Sequence, residues 1–296
     1  MSPAAAPPRF GRVALIGKLR SPEIAESLKT LRSLIERRGC EVLIERETAA
    51  DIGESGVGYD AIGERADLAV IIGGDGTMLA AARNLVGRRV PVTGVNQGRV
   101  GFMTDIGHDD MQDGIGAILD GRYSMEERSL LDAQILRGTT TVLRTIALNE
   151  AVVGKGAQGR LIEFELSIDG EFVYKLRGDG MIVATPTGST AYALSAQGPI
   201  LHPAVPALAL VPLAPHTLSA RPVSVSDRSV IEITIVRALD ARAHFDGFAL
   251  TDMAEGDRLV LRRSEEVVRF VHPPAYRYFA TLREKLRWSE SLEKDR

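Results

Sequence analysis

The chain has 296 residues, 45% of them hydrophobic and 25% charged, and a formal net charge of −3. That is the composition of a globular protein large enough for two cores, and the charge argues against a general affinity for nucleic acid or an anionic membrane. The single cysteine, Cys40, excludes an internal disulfide, and the five scattered histidines lack ligand spacing, so no zinc site built by the protein is expected.

Residues 1–12, rich in alanine and proline, read as a disordered lead-in. They carry no basic segment followed by an apolar core, so they are not a secretory signal, and a cytoplasmic protein is expected. Over 13–122 short apolar runs alternate with helical periodicity. Strands are expected at 13–16, 42–44, 68–72 and 90–95. A helix over 22–38 places Ile24, Leu28, Leu31, Leu34 and Ile35 on one face and stops at Gly39. Further helices are expected over 77–86 and 109–119. Such alternation predicts a Rossmann-like, mainly parallel α/β domain with helices over its sheet.

After about Tyr123 the period changes to two. Residues 162–168 alternate cleanly, Asp169-Gly170 makes a hairpin turn, 171–175 returns, and 231–235 alternates again. An all-β, sandwich-like domain over 123–272 follows. The stretch 204–215 is the most apolar, but Pro206 and Pro212 interrupt it and it is too short to span a bilayer. The segment 273–296, helical over 281–289, is expected to pack back on the first domain.

Three clusters carry the chemistry. Gly73-Gly74-Asp75-Gly76-Thr77 leaves an apolar strand and opens a helix. In open α/β sheets ligands bind at such strand ends, and bare glycine N–H groups at a helix start suit a phosphate. An ordinary Asp-Gly turn with Thr77 as N-cap would have the same sequence. It is not a dinucleotide fingerprint, because Gly74-Asp75-Gly76-Thr77-Met78 ends in Leu79, and no Gly-Lys-Ser/Thr exists for a triphosphate P-loop. The second cluster runs from Gly178-Asp179-Gly180 to Thr185-Pro186-Thr187-Gly188-Ser189-Thr190-Ala191-Tyr192. Its hydroxyls suit a pocket floor rich in donors, and equally suit a loop satisfying its own backbone. In the third, Asn149-Glu150 interrupts an apolar strand; an amide beside a carboxylate can hold the paired hydroxyls of a ribose or an adenine edge, or simply end the strand in a turn.

Together with Gly94-Val95-Asn96-Gln97-Gly98-Arg99-Val100-Gly101-Phe102 and the segment Pro215 to Pro222, these motifs resemble the NAD kinase family in order along nearly the whole chain. The resemblance implies transfer of the γ-phosphoryl group of ATP to the 2′-hydroxyl of the adenosine ribose of NAD, making NADP. It implies that Asp75 orients that hydroxyl and accepts its proton, and that Gly73, Gly74, Gly76 and Thr77 hold phosphates. Mg²⁺ or another divalent cation would arrive with ATP, without a dedicated protein metal site or a tightly bound organic cofactor. Asn149 and Glu150 would bind the NAD adenosine, with Asp179 near the nicotinamide side. Thr190, Ala191, Tyr192, Ala193, Leu194 and Ser195 would line the dinucleotide pocket. Arg160 and Arg177 fall where bacterial members carry arginines near the substrate. A homo-oligomer, dimer or tetramer, is implied, with neither nucleic acid nor membrane as partner.

Where many members have glutamine after an Asp-Gly pair near the last strands, Phe248 follows Asp246-Gly247, so no polar contact carries over there. His216 is expected to support its loop. Two alternatives fit the same motifs: a related lipid or sugar kinase, and a non-catalytic sensor of NAD or NADP.

Overall fold

The computed structural model describes residues 10–18, 24–98, 101–157, 159–217 and 219–288. The remainder of the 1–12 lead-in, Arg99, Val100 and Leu218 of the motifs, and the first residues of the 22–38 helix lie outside them. The chain divides into two units, residues 1–127 with 268–296 and residues 128–267.

Unit 1 begins β1 (Arg12–Gly17), α1 (Ile24–Arg37), β2 (Glu41–Ile44), α2 (Arg46–Asp51), α3 (Tyr59–Arg65). It continues β3 (Leu68–Ile72), α4 (Asp75–Asn84), β4 (Val92–Val95) and α5 (Met111–Leu119). The strands pair in parallel in the order β2-β1-β3-β4. Every residue of β3 and all but the first of β1 are buried, as expected for a parallel sheet covered on both faces. The face of α1 carrying Ile24, Leu28, Leu31, Leu34 and Ile35 packs into one cluster with Val13, Leu15, Val70 and Ile72, joined by Ile115 and Ile118 of α5.

Three details of unit 1 correct the sequence reading. Phe10 to Arg12, taken as the end of a disordered lead-in, are ordered: Phe10 is buried against Tyr123, and Asp67 accepts hydrogen bonds from the N–H groups of Gly11 and Arg12 at 3.0 and 2.8 Å. Helices α2 and α3 were not anticipated. The first is held by the Glu45 carboxylate, which accepts from the N–H groups of Glu47 and Thr48 as an N-cap, a role more typical of Ser, Thr, Asp or Asn. Finally, α4 starts at Asp75 with Gly74 as N-cap, so Thr77 lies inside the first turn.

The chain continues through β5 (Ser124–Arg137), β6 (Thr140–Ala147), β7 (Glu150–Lys155), β8 (Ile162–Ile168), β9 (Glu171–Gly178) and β10 (Gly180–Ala184). Next come a short α6 (Tyr192–Ser195), β11 (Ala207–Leu213), β12 (Val223–Ser226), β13 (Ile231–Arg237), β14 (Ala241–Phe245) and β15 (Ala249–Met253). Last are β16 (Arg258–His272) and α7 (Tyr278–Leu286). Strands β5 and β16 give residues to both units, and Phe270 of β16 pairs in parallel with Val92 in unit 1.

Within unit 2 an antiparallel sheet β12-β11-β10-β7-β14-β15 faces strands β16, β13, β8 and β9. Ile162, Phe164 and Leu166 alternate into the core between them, meeting Met181 and Val183 of β10. The other face of β10, Ile182 and Ala184, is covered by Ala193, Leu201 and Val211. That double burial is why 180–184 reads as a continuous apolar run instead of alternating.

One buried charge fastens the sandwich. Asp257, its side chain 2% exposed, accepts two hydrogen bonds from Arg137 at 2.9 and 2.7 Å and one from the Ala254 N–H at 2.8 Å. The Arg137 hydrogen bond comes first among the causes that hold the Asp257 carboxyl below the usual aspartate range. A lowered folded value contributes stability above the unfolded pKa that is lost as the pH falls through the folded one. Asp257→Asn is therefore expected to cost about 2 kcal/mol at neutral pH, and denaturant titrations should show the gap to the parent closing in acid.

Candidate active site

In unit 1 the chain leaves β3 into a turn that only glycine fits at Gly73, where a Cβ would lie 2.5 Å from Thr77 Oγ1 and 2.8 Å from its Cβ. At Gly74 and Gly76 an added Cβ would meet nothing within 4 Å, so both bare backbones border open space. No side chain caps α4; the Thr77 and Met78 N–H groups donate to the Gly74 carbonyl at 3.0 and 3.1 Å, and those of Asp75 and Gly76 come before the first helical bond. That leaves backbone donors and the positive end of the helix dipole available to an anion.

Asp75 is the first residue of α4, and its carboxylate is gripped by the segment after β4. Oδ2 accepts from the Phe102 N–H at 2.8 Å; Oδ1 accepts from the Met103 N–H at 3.0 Å and from Thr104 Oγ1 at 3.1 Å. Thr104 Oγ1 in turn accepts from Asn96 Nδ2 at 2.8 Å, and Asn96 Oδ1 accepts from the Gly98 N–H at 2.7 Å. The approach is so close that a Cβ on Gly101 would lie 1.9 Å from Asp75 Oδ1. Gly101 is bare because the carboxylate occupies the space.

A cavity of about 700 Å³ opens beside Gly76 and Thr77 at the carboxyl ends of β1 and β2. In the order β2-β1-β3-β4 the sequence of connections reverses between β1 and β3, and the cavity is lined by residues that follow both strands. Lys18, Glu45, Arg46, Tyr59 and Asn84 also line it. Burial, reinforced by Glu45 and Glu47, pushes the Tyr59 phenol up to about 12, so it remains a donor at neutral pH.

In unit 2 a second carboxylate grips backbone. Asp246 accepts from the N–H groups of Leu148 at 2.8 Å, Asn149 at 2.7 Å and Glu150 at 3.1 Å, which fixes the break between β6 and β7. Asn149 and Glu150 are each 8% exposed, and Asn149 Oδ1 and Glu150 Oε2 are buried without a hydrogen-bond partner among the described residues. Desolvation first, and then the neighbouring charge of Asp246, push the Glu150 carboxyl up to about 7, against a hydrogen bond from the Tyr192 backbone. A cavity of about 490 Å³ gathers Glu150, Asp179 and Tyr192 with Lys155, His244 and Asp246. Lys155 Nζ lies 2.7 Å from Asp179 Oδ1.

The hydroxyl-rich turn serves mostly itself. Thr185 Oγ1 donates to the Leu148 carbonyl at 2.5 Å, Ser189 Oγ to that of Pro186 at 2.6 Å, and Thr190 Oγ1 to that of Thr187 at 3.1 Å. Gly188 lies so close to Asn149 that a Cβ there would be 2.0 Å from the Asn149 carbonyl oxygen. The turn thus buttresses Asn149 from below. Of the segment 190–195, Tyr192 and Ser195 are exposed, Thr190, Ala191 and Leu194 half-buried, and Ala193 wholly buried in an apolar cluster. Arg160 and Arg177 are not among the residues lining the Glu150 cavity: they line another, of about 640 Å³, with Arg237, Glu163 and Glu255. Phe248 is 58% exposed, and His216 is exposed, its N–H donating to the Arg177 carbonyl at 2.8 Å.

Lys155, His244, Thr104, Asn96 and Asp246 were not singled out in sequence. Only Asn96, inside a motif already noted, and Asp246, beside the departure at Phe248, carried any signal. Among the described residues no group of three or more His, Cys, Asp or Glu could hold a metal ion, and no helix is long and apolar enough to cross a membrane.

Comparison with known proteins places this geometry. Residues 13–123 match the family model described as the ATP-NAD kinase N-terminal domain, and residues 148–273 the ATP-NAD kinase C-terminal domain. The chain is 57% identical over 284 residues to an NAD kinase of Aromatoleum aromaticum, covering 95% of each chain. It is 55% identical to one from an Azoarcus species, covering 95% of this chain and 97% of that one. Among solved structures, an NAD kinase from Archaeoglobus fulgidus in complex with ATP matches with a TM-score of 0.74 at 27% identity, over 93% of this chain and 98% of that one. A yeast NADH kinase complexed with NADH shares the fold, with a TM-score of 0.88 at 24% identity over 95% and 89% of the two chains. The Asp75 loop and the Asn149-Glu150 break, in one chain that matches both domain models, belong to a phosphotransferase of the NAD kinase family.

Proposed function

We propose that this chain transfers the γ-phosphoryl group of ATP to the 2′-hydroxyl of the adenosine ribose of NAD, with Asp75 orienting that hydroxyl and taking its proton. The observation that carries the reading is the asymmetric use of the Asp75 carboxylate. Each carboxylate oxygen has about two acceptor sites. Oδ1 accepts from both the Met103 N–H and the Thr104 hydroxyl, whereas Oδ2 accepts only from the Phe102 N–H among the described residues. One acceptor site on Oδ2 is left for a substrate hydroxyl. Phosphoryl transfer through a loose transition state needs little deprotonation beforehand, so a rigidly held aspartate suffices as base.

Gly74 and Gly76 would give backbone N–H groups to the donor phosphates, whereas the Gly73 N–H donates to the Val95 carbonyl at 2.9 Å; the 700 Å³ cavity beside Thr77 has the size and polar lining for the rest of the nucleotide. The relative from Archaeoglobus fulgidus in complex with ATP supports ATP as donor. The divalent cation would come bound to ATP, neutralising charge on its phosphate oxygens, since the Asp75 oxygens are largely engaged by protein donors. On the acceptor side, Asn149 Oδ1 and Glu150 Oε2, buried and unpartnered, are acceptors awaiting donors, which ribose hydroxyls and an adenine amino group supply. A soluble cytoplasmic homo-oligomer, dimer or tetramer, in which Arg160 and Arg177 serve NAD binding, completes the proposal.

Asp75→Asn keeps the shape of the side chain and removes the base. Its kcat should fall about 10²- to 10⁴-fold with NAD binding retained by calorimetry; turnover equal to the parent would remove Asp75 from the chemistry. If substrate hydroxyls donate to ionised Glu150, binding must compete with its protonation. The KM for NAD should therefore rise as the pH is lowered through about 7. Glu150→Gln should bind NAD more weakly and lose that dependence, a comparison made by measuring KM across the pH range for both proteins.

A further inference from the structure

The segment that grips Asp75 is itself held from behind. Thr104 faces Asp75, and the next residue, Asp105, turns the other way, where its Oδ2 lies 2.7 Å from Nδ1 of His272 at the end of β16. The other ring nitrogen, Nε2, lies 3.3 Å from Oε2 of Glu126. The His272 and Asp105 side chains are 4% and 5% exposed, and that of Glu126 25%. The ring stacks on Tyr276 with centroids 3.9 Å apart and planes at 9°.

Nδ1 makes a hydrogen bond with Asp105, and Nε2 faces the Glu126 carboxylate at ion-pair distance without hydrogen-bond geometry; only the imidazolium form carries a proton towards both. A neutral ring would turn a buried lone pair towards a carboxylate, which is costly. The cation instead meets two anions and an aromatic face. On its other side the 104–106 segment is fastened by backbone: the Asn96 N–H donates to the Ile106 carbonyl at 2.8 Å, and the Ile106 N–H to that of Gly94 at 3.2 Å. Thr104 is therefore clamped from two directions, and it shares Oδ1 of Asp75 with the Met103 N–H.

We infer that His272 is a positioning residue for phosphoryl transfer, acting through Asp105 and Thr104 to hold the Asp75 carboxylate with one acceptor site of Oδ2 presented to substrate. The inference rests on Asp75 being the base. It makes a distinction that a merely structural histidine would not: the rate of transfer depends on His272, while NAD affinity, set by Asn149 and Glu150, does not.

The test compares two substitutions in the full chain. Asparagine can place its amide nitrogen near the position of Nδ1 and still donate to Asp105; glutamine reaches towards Glu126 instead. A misplacement of about 1 Å can cost about 100-fold in rate, so His272→Gln should lose about tenfold or more in kcat with the KM for NAD within about twofold, and His272→Asn should recover most of the rate. Parent-like turnover in His272→Gln, an equal loss in both variants, or a rise in KM matching the fall in kcat would overturn the inference. Nitrogen-15 NMR of the unmodified protein near neutral pH adds a readout independent of variant folding: two protonated ring nitrogens in His272 are expected, and a neutral ring would overturn it. Asp75→Asn assayed alongside separates the two claims. If that variant is inactive while His272→Gln is parent-like, only the present inference fails; if Asp75→Asn itself turns over normally, the base assignment fails first.

Discussion

A carboxylate at the first residue of a helix, among glycines that border open space, would repel the very phosphates those glycines suit. In this chain the Asp75 charge is taken up by its own neighbourhood, with two backbone N–H groups and a hydroxyl from 102–104 converging on it. Much of unit 1 near the site follows from that arrangement. Gly101 has no side chain because a Cβ would collide with Oδ1, and Thr104 and Asn96 are buried because they complete the same set of hydrogen bonds. The acid can then sit beside the proposed anion site without being left as an uncompensated charge, which would be costly.

Unit 2 uses the same device for a different end. Asp246 accepts from three successive backbone N–H groups and so holds open a break between two strands where Asn149 and Glu150 present unpartnered acceptors. The arrangement has an electrostatic consequence. Burial first, and then the neighbouring charge of Asp246, raise the Glu150 carboxyl. A group that changes charge near neutral pH where a neutral, hydroxyl-bearing ligand is expected makes binding sensitive to pH without any separate switch.

The elements legible in the sequence are those whose burial leaves a period. The α1 face, the buried β3 and the alternation of β8 are of this kind, as is the passage from strand through glycine turn to helix at 73–77. Short elements held by one capping side chain leave none, which is why α2, capped by Glu45, went unread. Long-range polar pairs are silent for a different reason. Asp246 lies 96 to 98 residues from the N–H groups it accepts from, and His272 lies 167 from Asp105; only the fold brings them together. The hydroxyl-rich turn could equally have been a pocket floor or a self-satisfying loop, and Thr185, Ser189 and Thr190 take the second role, donating to the carbonyls of Leu148, Pro186 and Thr187 while Ser189 Oγ also accepts from the Leu201 N–H.

The account stands or falls on where phosphate is added. Purified protein incubated with NAD, ATP and Mg²⁺ should yield a single new phosphate ester that phosphorus NMR assigns to the 2′ position of the adenosine ribose and that an NADP-specific dehydrogenase reads as NADP. An ester at any other hydroxyl, or NAD bound and returned unchanged in the presence of ATP, would contradict the assignment of Asp75 Oδ2 as the acceptor of that hydroxyl's proton.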